Sequence, residues 1–227
     1  MKNEVNRSIF SLAVIVALIG SACSKSYAGQ LALDFTGGQT YFASNDNISP
    51  YTVGWKFSTS QTMDVSGLGF WDQSNHTLGY SHDVGLWSST GSLLASTTIT
   101  GTSTPVSSAG QGQWLFNEIT RVTLLPGIYY VGASYGSNDN KDDYAFEVTN
   151  IQTAPGVTYI SGKGGLGSGL TFPTLDNPPY SINSYFGANL EFSPPNTVPE
   201  PTSFALLGLG GIGMAIGAYR RRRMVVV

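Results

Sequence analysis

Two histidines limit the acid–base chemistry open to this 227-residue chain. His76 lies in the polar stretch Asp72-Gln73-Ser74-Asn75-His76-Thr77, and His82 follows shortly after with Asp83 directly beside it. Serine is abundant, so the residue types of a Ser/His/Asp hydrolase are present. That chemistry needs the histidine held against a nucleophile in a pocket. No Gly-x-Ser-x-Gly elbow stands between a strand and a helix pattern. Gly165-Leu166-Gly167-Ser168-Gly169 has similar letters in a glycine-rich stretch that reads as loop. The histidines are therefore expected as solvated loop residues, and no residue is singled out as catalytic. The densest acidic cluster is Asp139, Asp142 and Asp143, with Asn138 and Asn140 among them. A glycosidase would hold two such carboxyls on rigid strand ends, whereas these sit in a polar loop. Oxygen-rich loops suit calcium, which takes six to eight oxygen ligands. Asp139, Asp142 and Asp143 are thus candidate calcium ligands, although the EF-hand glycine and terminal glutamate are missing. A hydrated loop with no cofactor is the plainer expectation. Trp55, Trp71, Trp87 and Trp114, with Tyr129, Tyr130 and Tyr135, offer flat faces on which sugars could stack. The same residue types are common in strands and cores, which is the competing reading.

The elements that would position these groups read as strands. Tyr51, Val53, Trp55 and Phe57 alternate with polar or small neighbours, as do Tyr144, Phe146 and Val148, and Phe186, Ala188, Leu190 and Phe192. Period-two alternation marks strands with one dry face. Further strands are expected at Leu31–Phe35, Met63–Trp71, His82–Trp87, Leu93–Ile99, Arg121–Leu125 and Ile128–Tyr135. In Met63–Trp71 the apolar phase switches near Gly67, which predicts a bulge. Ser88-Ser89-Thr90-Gly91 should close a hairpin, and Leu125-Pro126-Gly127 has the residues of a type II turn. Gly162 to Gly169 and Pro173 to Pro179 read as long loops. Trp55, Trp71 and Trp87 stand 16 residues apart, but the intervening stretches do not resemble one another, so successive strands explain them better than a repeat. The expected fold is an all-β antiparallel sandwich of jelly-roll type over residues 29–192.

Composition supports an exported β domain. Charged residues are 11% of the chain, less than half the usual ~25%. Residues 29–197 hold four bases against twelve acids, a net charge of −8. That surface is a poor partner for nucleic acid, which favours a basic domain or patch. One cysteine excludes an internal disulfide and a Cys-rich metal site.

The ends carry addresses. Lys2 and Arg7 precede a 12-residue apolar run from Ile9 to Gly20, and Ser26-Tyr27-Ala28 offers small residues before Gly29. This is the layout of a signal peptide over residues 1–28. Ile19-Gly20-Ser21-Ala22-Cys23 resembles a degraded lipoprotein box, so a lipid on Cys23 is the alternative processing. At the other end, 193–197 is a Pro-rich linker and Ser203 to Tyr219 is a 17-residue stretch without charge. At ~1.5 Å per residue it reaches about 26 Å as a helix, near the lower limit for a membrane span. Arg220, Arg221, Arg222 and Arg223 then set topology, cytoplasmic side at the arginines. Residues 224–227 form a short tail.

Val198, Pro199, Glu200 and Pro201, followed by the apolar glycine-rich segment and the arginine cluster, resemble a PEP-CTERM sorting signal over residues 198–223. The resemblance implies recognition by an exosortase, processing near Pro199-Glu200-Pro201, and delivery to the cell surface or extracellular matrix of a Gram-negative bacterium that makes exopolysaccharide and biofilm. Val84 to Ala95 resembles a hairpin of extracellular β-sandwich domains of unknown function, and Leu125 to Val131 resembles their later strand pair; this implies the fold and brings no catalytic residues. The expected protein is a non-enzymatic surface or biofilm-matrix component, first anchored in the membrane by its C-terminal helix and with polysaccharide as a further partner. A carbohydrate-binding or adhesive module is the alternative, and a secreted hydrolase the third reading.

Overall fold

The alternating apolar pattern is realised as antiparallel strands. The computed structural model describes residues 29–42, 50–73, 78–110, 112–136, 142–176 and 186–193, and among these every regular element is a strand. In chain order they are β1 (Gln30–Leu31), β2 (Leu33–Asp34), β3 (Gly37–Phe42), β4 (Tyr51–Thr59), β5 (Met63–Asp72), β6 (His82–Ser88), β7 (Leu93–Ile99), β8 (Thr104–Ser107), β9 (Gln113–Leu124), β10 (Gly127–Tyr135), β11 (Asp143–Thr149), β12 (Gln152–Thr153), β13 (Val157–Leu166), β14 (Leu175–Asp176) and β15 (Ala188–Phe192). One sheet has the order β1-β15-β5-β9-β8, the other β14-β13-β4-β10-β6-β7. The pairs β11–β3 and β12–β2 flank them. The signal peptide, linker residues 194–197, the C-terminal span and the tail lie outside the described residues. Among those described, no helix is long and apolar enough to cross a membrane.

The two sheets face each other across a core whose residues follow the period of two. From the first sheet come Val65, Leu68, Phe70, Leu190 and Phe192; from the second come Val53, Trp55, Phe57, Val84, Leu86 and Val131. Trp55 Nε1 donates to the Ala188 carbonyl across the gap at 2.7 Å. The predicted bulge is present, with the β5–β9 register shifting between Val65 and Gly67. The register of β5 with β15 shifts at the matching place. Leu68 and Phe70 are thereby returned to the inner face, both fully buried. The Ser88–Gly91 hairpin also forms: Gly91 N–H donates to Ser88 O at 3.1 Å, and Gly91 has φ +86°, which glycine adopts without strain.

Three expectations fail, the first being the loop at Pro173 to Pro179, where β14 pairs with β13 through Leu175 and Asp176. Leu125-Pro126-Gly127 is not a type II turn, because Gly127 does not have the positive φ that turn requires and already belongs to β10. This link carries the chain from one sheet to the other instead of closing a hairpin, since β9 pairs with β5 and β10 with β4. Gly162 to Gly169 is not a loop throughout, because β13 runs to Leu166 along β4. Gly165 answers a close approach. Residues 170–173 cross the outer face of this sheet, and a Cβ on Gly165 would stand 2.7 Å from Thr171 Oγ1. Gly132 likewise lies under Pro173, and Gly85 under Leu170 and the Trp87 ring. The Thr171 N–H to Thr52 Oγ1 bond, 2.9 Å, fastens this strap to β4.

Candidate functional site

The chain's one described histidine is a core residue. Alternation along β6 points His82, Val84 and Leu86 inward, and His82 is fully buried. Its ring stacks on Phe70 of the opposite sheet, with centroids 3.9 Å apart and 13° between the planes. Nδ1 faces the Ser134 carbonyl at 2.8 Å and Nε2 faces Asp142 Oδ2 at 3.0 Å. Both ring nitrogens thus meet oxygen atoms. Asp142 also accepts the Gly79 N–H at 2.6 Å and the Tyr80 N–H at 2.8 Å. Burial alone would raise the Asp142 carboxyl. The His82 hydrogen bond, the Gly79 N–H, the His82 charge and the Tyr80 N–H outweigh it and hold the group below its ordinary value of 3.8.

This clasp joins two stretches of backbone, and a cavity of about 200 Å³ opens beside it, lined by Tyr80, Ser81, Ser134, Tyr135, Gly136 and Gly169. The Asp142 carboxylate fixes the backbone of Tyr80 on one wall, and the His82 ring holds the Ser134 carbonyl on the other. Tyr80 is the large exposed aromatic here, at 44% accessibility. Drug-sized ligands need ~300–1,000 Å³, so the cavity suits only a single small ring or less.

The clasp has a testable pH signature. A carboxyl whose folded-state pKa is depressed adds stability above its unfolded pKa, and that stability is lost as pH falls through the folded value. Thermal melts between about pH 5 and about pH 2 should therefore show an acid-side loss that Asp142→Asn reduces. Parallel curves for the two proteins would contradict this.

The other expected site residues are scattered. Asp142 is buried and turned toward His82, not presented in a hydrated loop; Asp143 opens β11 and is also buried. Asp139 and His76 lie outside the described residues. Among the described residues no group of three His, Cys, Asp or Glu side chains could hold a metal ion. Asp83, next in sequence to His82, points to the opposite face of β6 and accepts the Thr98 hydroxyl at 2.6 Å. It therefore does not orient the imidazole.

The tryptophans correct the sugar-stacking expectation. Trp55, Trp71, Trp87 and Trp114 are all 4% exposed or less. Trp71 and Trp114 pack edge to face at 5.0 Å, and Phe35 packs against both. Trp87 lies on the outer face of its sheet, where Phe172 and Leu170 of the strap cover it, and Trp71 and Trp114, paired in register, lie on the face of their sheet opposite Phe70 and Leu115. None presents a ring face to solvent, because each is covered by packed neighbours. Tyr135 is equally buried, Tyr129 donates to Leu125 O, and Tyr130 lies under the Lys56 ammonium.

Several polar anchors have little signature in the sequence. Asp34 accepts the Ala109 N–H at 2.7 Å and the Trp114 indole N–H at 3.3 Å. Buried Asn189 donates to Leu33 O at 2.7 Å. Lys163 is buried and paired with exposed Asp176. Their one visible signal is a polar residue set within an otherwise apolar strand.

The family model of the domain of unknown function DUF4082 matches residues 38–186. That of the PEP-CTERM protein-sorting motif matches residues 197–223. The second span contains Val198, Pro199, Glu200, Pro201 and Arg220 to Arg223, all outside the described residues. Such a motif marks proteins exported via an exosortase to the cell surface of Gram-negative bacteria. No curated protein matches the chain. β15 falls outside the DUF4082 match, yet it occupies the interior of the first sheet, so the folded unit extends beyond the matched span.

Proposed function

We propose that this chain, which belongs to the DUF4082 family, is a non-enzymatic component of the cell surface or of an exopolysaccharide and biofilm matrix. The observation that carries this reading is the PEP-CTERM motif at 197–223. The described domain supports it in a simple way: its histidine, its tryptophans and its least exposed acids are spent on packing and internal hydrogen bonds. In this reading the segment Ser203 to Tyr219 holds the precursor in the membrane until exosortase acts near Pro199-Glu200-Pro201. Replacing those three residues with alanine should leave an unprocessed precursor in the membrane fraction. An unchanged mature mass with an unchanged surface fraction would refute the reading.

A carbohydrate-binding or adhesive role is the second reading. The four tryptophans do not favour it, but the small uncharged cavity beside exposed Tyr80 does. A secreted hydrolase using the acidic loop, with Asp142 and Asp143, is the third reading, and it is disfavoured by the Asp142 carboxylate being bonded to His82, Gly79 and Tyr80 inside the fold.

A further inference from the structure

The first residue expected after signal-peptide removal, Gly29, lies against a carboxylate. β1 pairs with β15 so that Gln30 is opposite Phe192 and Leu31 opposite Glu191. The Glu191 side chain turns toward Gly29 and accepts its backbone N–H. A Cβ on Gly29 would collide with the Glu191 carboxyl group. On the other side, a Cβ on Gly67 would stand 3.0 Å from Glu191 Oε2. Glycines thus flank the carboxylate on both sides and leave it room between two strands. Across Gly67, β9 presents a second acid, Glu118, directly opposite in register. Burial raises the Glu191 carboxyl above its ordinary 4.5; the Gly29 N–H opposes the shift and the Glu118 charge adds to it. A half-buried carboxylate beside another acid is a place that favours a cation.

We propose that Glu191, supported by Glu118, is a docking site for the α-ammonium created when the chain is cut between Ala28 and Gly29. Cleavage turns the Gly29 amide into an ammonium at the position where one N–H already bonds the carboxylate. A neutral donor becomes a charged one, and hydrogen bonds between charged groups are about twice as strong as neutral ones. The docked terminus pins β1 to β15. Because Ser193 N–H bonds Asp64 O at 2.8 Å just beyond β15, the chain leaves toward its sorting motif from the same end of the sandwich. N-terminal maturation therefore reinforces the strand from which the C-terminal signal departs. The proposal rests on the export reading above, but it concerns the other end of the chain.

The test compares the mature chain beginning at Gly29 with one that keeps Ala28 in front of it, each with and without Glu191→Gln. Keeping Ala28 moves the ammonium one residue away, a reach of about 3.5 Å. It should lower the melting temperature by about 2–4 °C, and Glu191→Gln should abolish that difference. The Gly29 amine should also acylate several-fold more slowly than the Ala28 amine, and Glu118→Gln should reduce that protection. Equal melting temperatures and equal acylation rates would overturn the proposal. So would a mature chain from the host that begins elsewhere, for example at a lipidated Cys23. That last result would leave sorting by the C-terminal motif standing, and failure of the sorting-motif test would leave this docking site standing.

Discussion

Replacement of His82 by alanine should cost about 3–5 kcal/mol of unfolding free energy, the usual effect of stranding a buried carboxylate by removing its partner. The imidazole is fully buried and the Asp142 side chain nearly so. Without the ring, the Asp142 carboxylate keeps only the Gly79 and Tyr80 N–H groups, and the Ser134 carbonyl loses its Nδ1 donor. The stacking partner of Phe70 disappears at the same time. Most of the loss belongs to the stranded carboxylate, so His82→Ala combined with Asp142→Asn should be less destabilising than the sum of the two single changes. Urea unfolding of the four proteins measures this coupling. A loss below about 1 kcal/mol for His82→Ala, as for an exposed pair, would show that the clasp is not the buried pair described here.

Trp55→Ala should be at least as damaging, at about 3–5 kcal/mol. Trp55 lies in β4 between β10 and β13, fully buried, with Phe57 at 5.0 Å and Tyr159 at 6.2 Å between ring centroids. Truncation opens a cavity in the centre of the sandwich and leaves the Ala188 carbonyl without the donor it has at 2.7 Å. Trp55→Phe separates the two effects, because it retains most of the apolar area and removes only the hydrogen bond. Its cost should be the smaller, about 1–3 kcal/mol for the orphaned buried carbonyl together with the volume lost. Thermal or denaturant unfolding distinguishes this from a sugar-stacking role, in which Trp55→Ala would leave stability unchanged and abolish glycan binding.

The sequence is most informative where one physical rule decides the outcome. Leu93–Ile99 matches β7 end for end, and Phe186, Ala188, Leu190 and Phe192 are all buried as their alternation requires. The switch of apolar phase at Gly67 is enough to locate a bulge, because two buried half-strands out of phase admit few other solutions. Legibility fails where the deciding partner is distant in the chain. Trp87 points to the outer face of its sheet, as alternation implies, and is buried only because Phe172 arrives some 85 residues later. Gly165 in β13 reads as loop because its reason is the strap passing over it. β8 is hidden because Pro105 and polar residues interrupt its pattern, and the first half of β9 because Trp114, Leu115 and Phe116 are buried in succession and leave no alternation. The site shows the same division. His82 and Asp142 stand 60 residues apart, and each has a nearer decoy, Asp83 for the histidine and the loop acids for Asp142. The sorting motif is legible throughout because its elements are local and ordered along the chain.

The intact mass of the mature protein isolated from its host tests the account most directly. The full chain is 24.1 kDa. Processing as proposed predicts a single lighter species that begins at Gly29 and ends near Pro199-Glu200-Pro201, with any mass above that polypeptide belonging to a group transferred at the new C-terminus. A surface-located species that still carries Ser203 to Arg223 would contradict it.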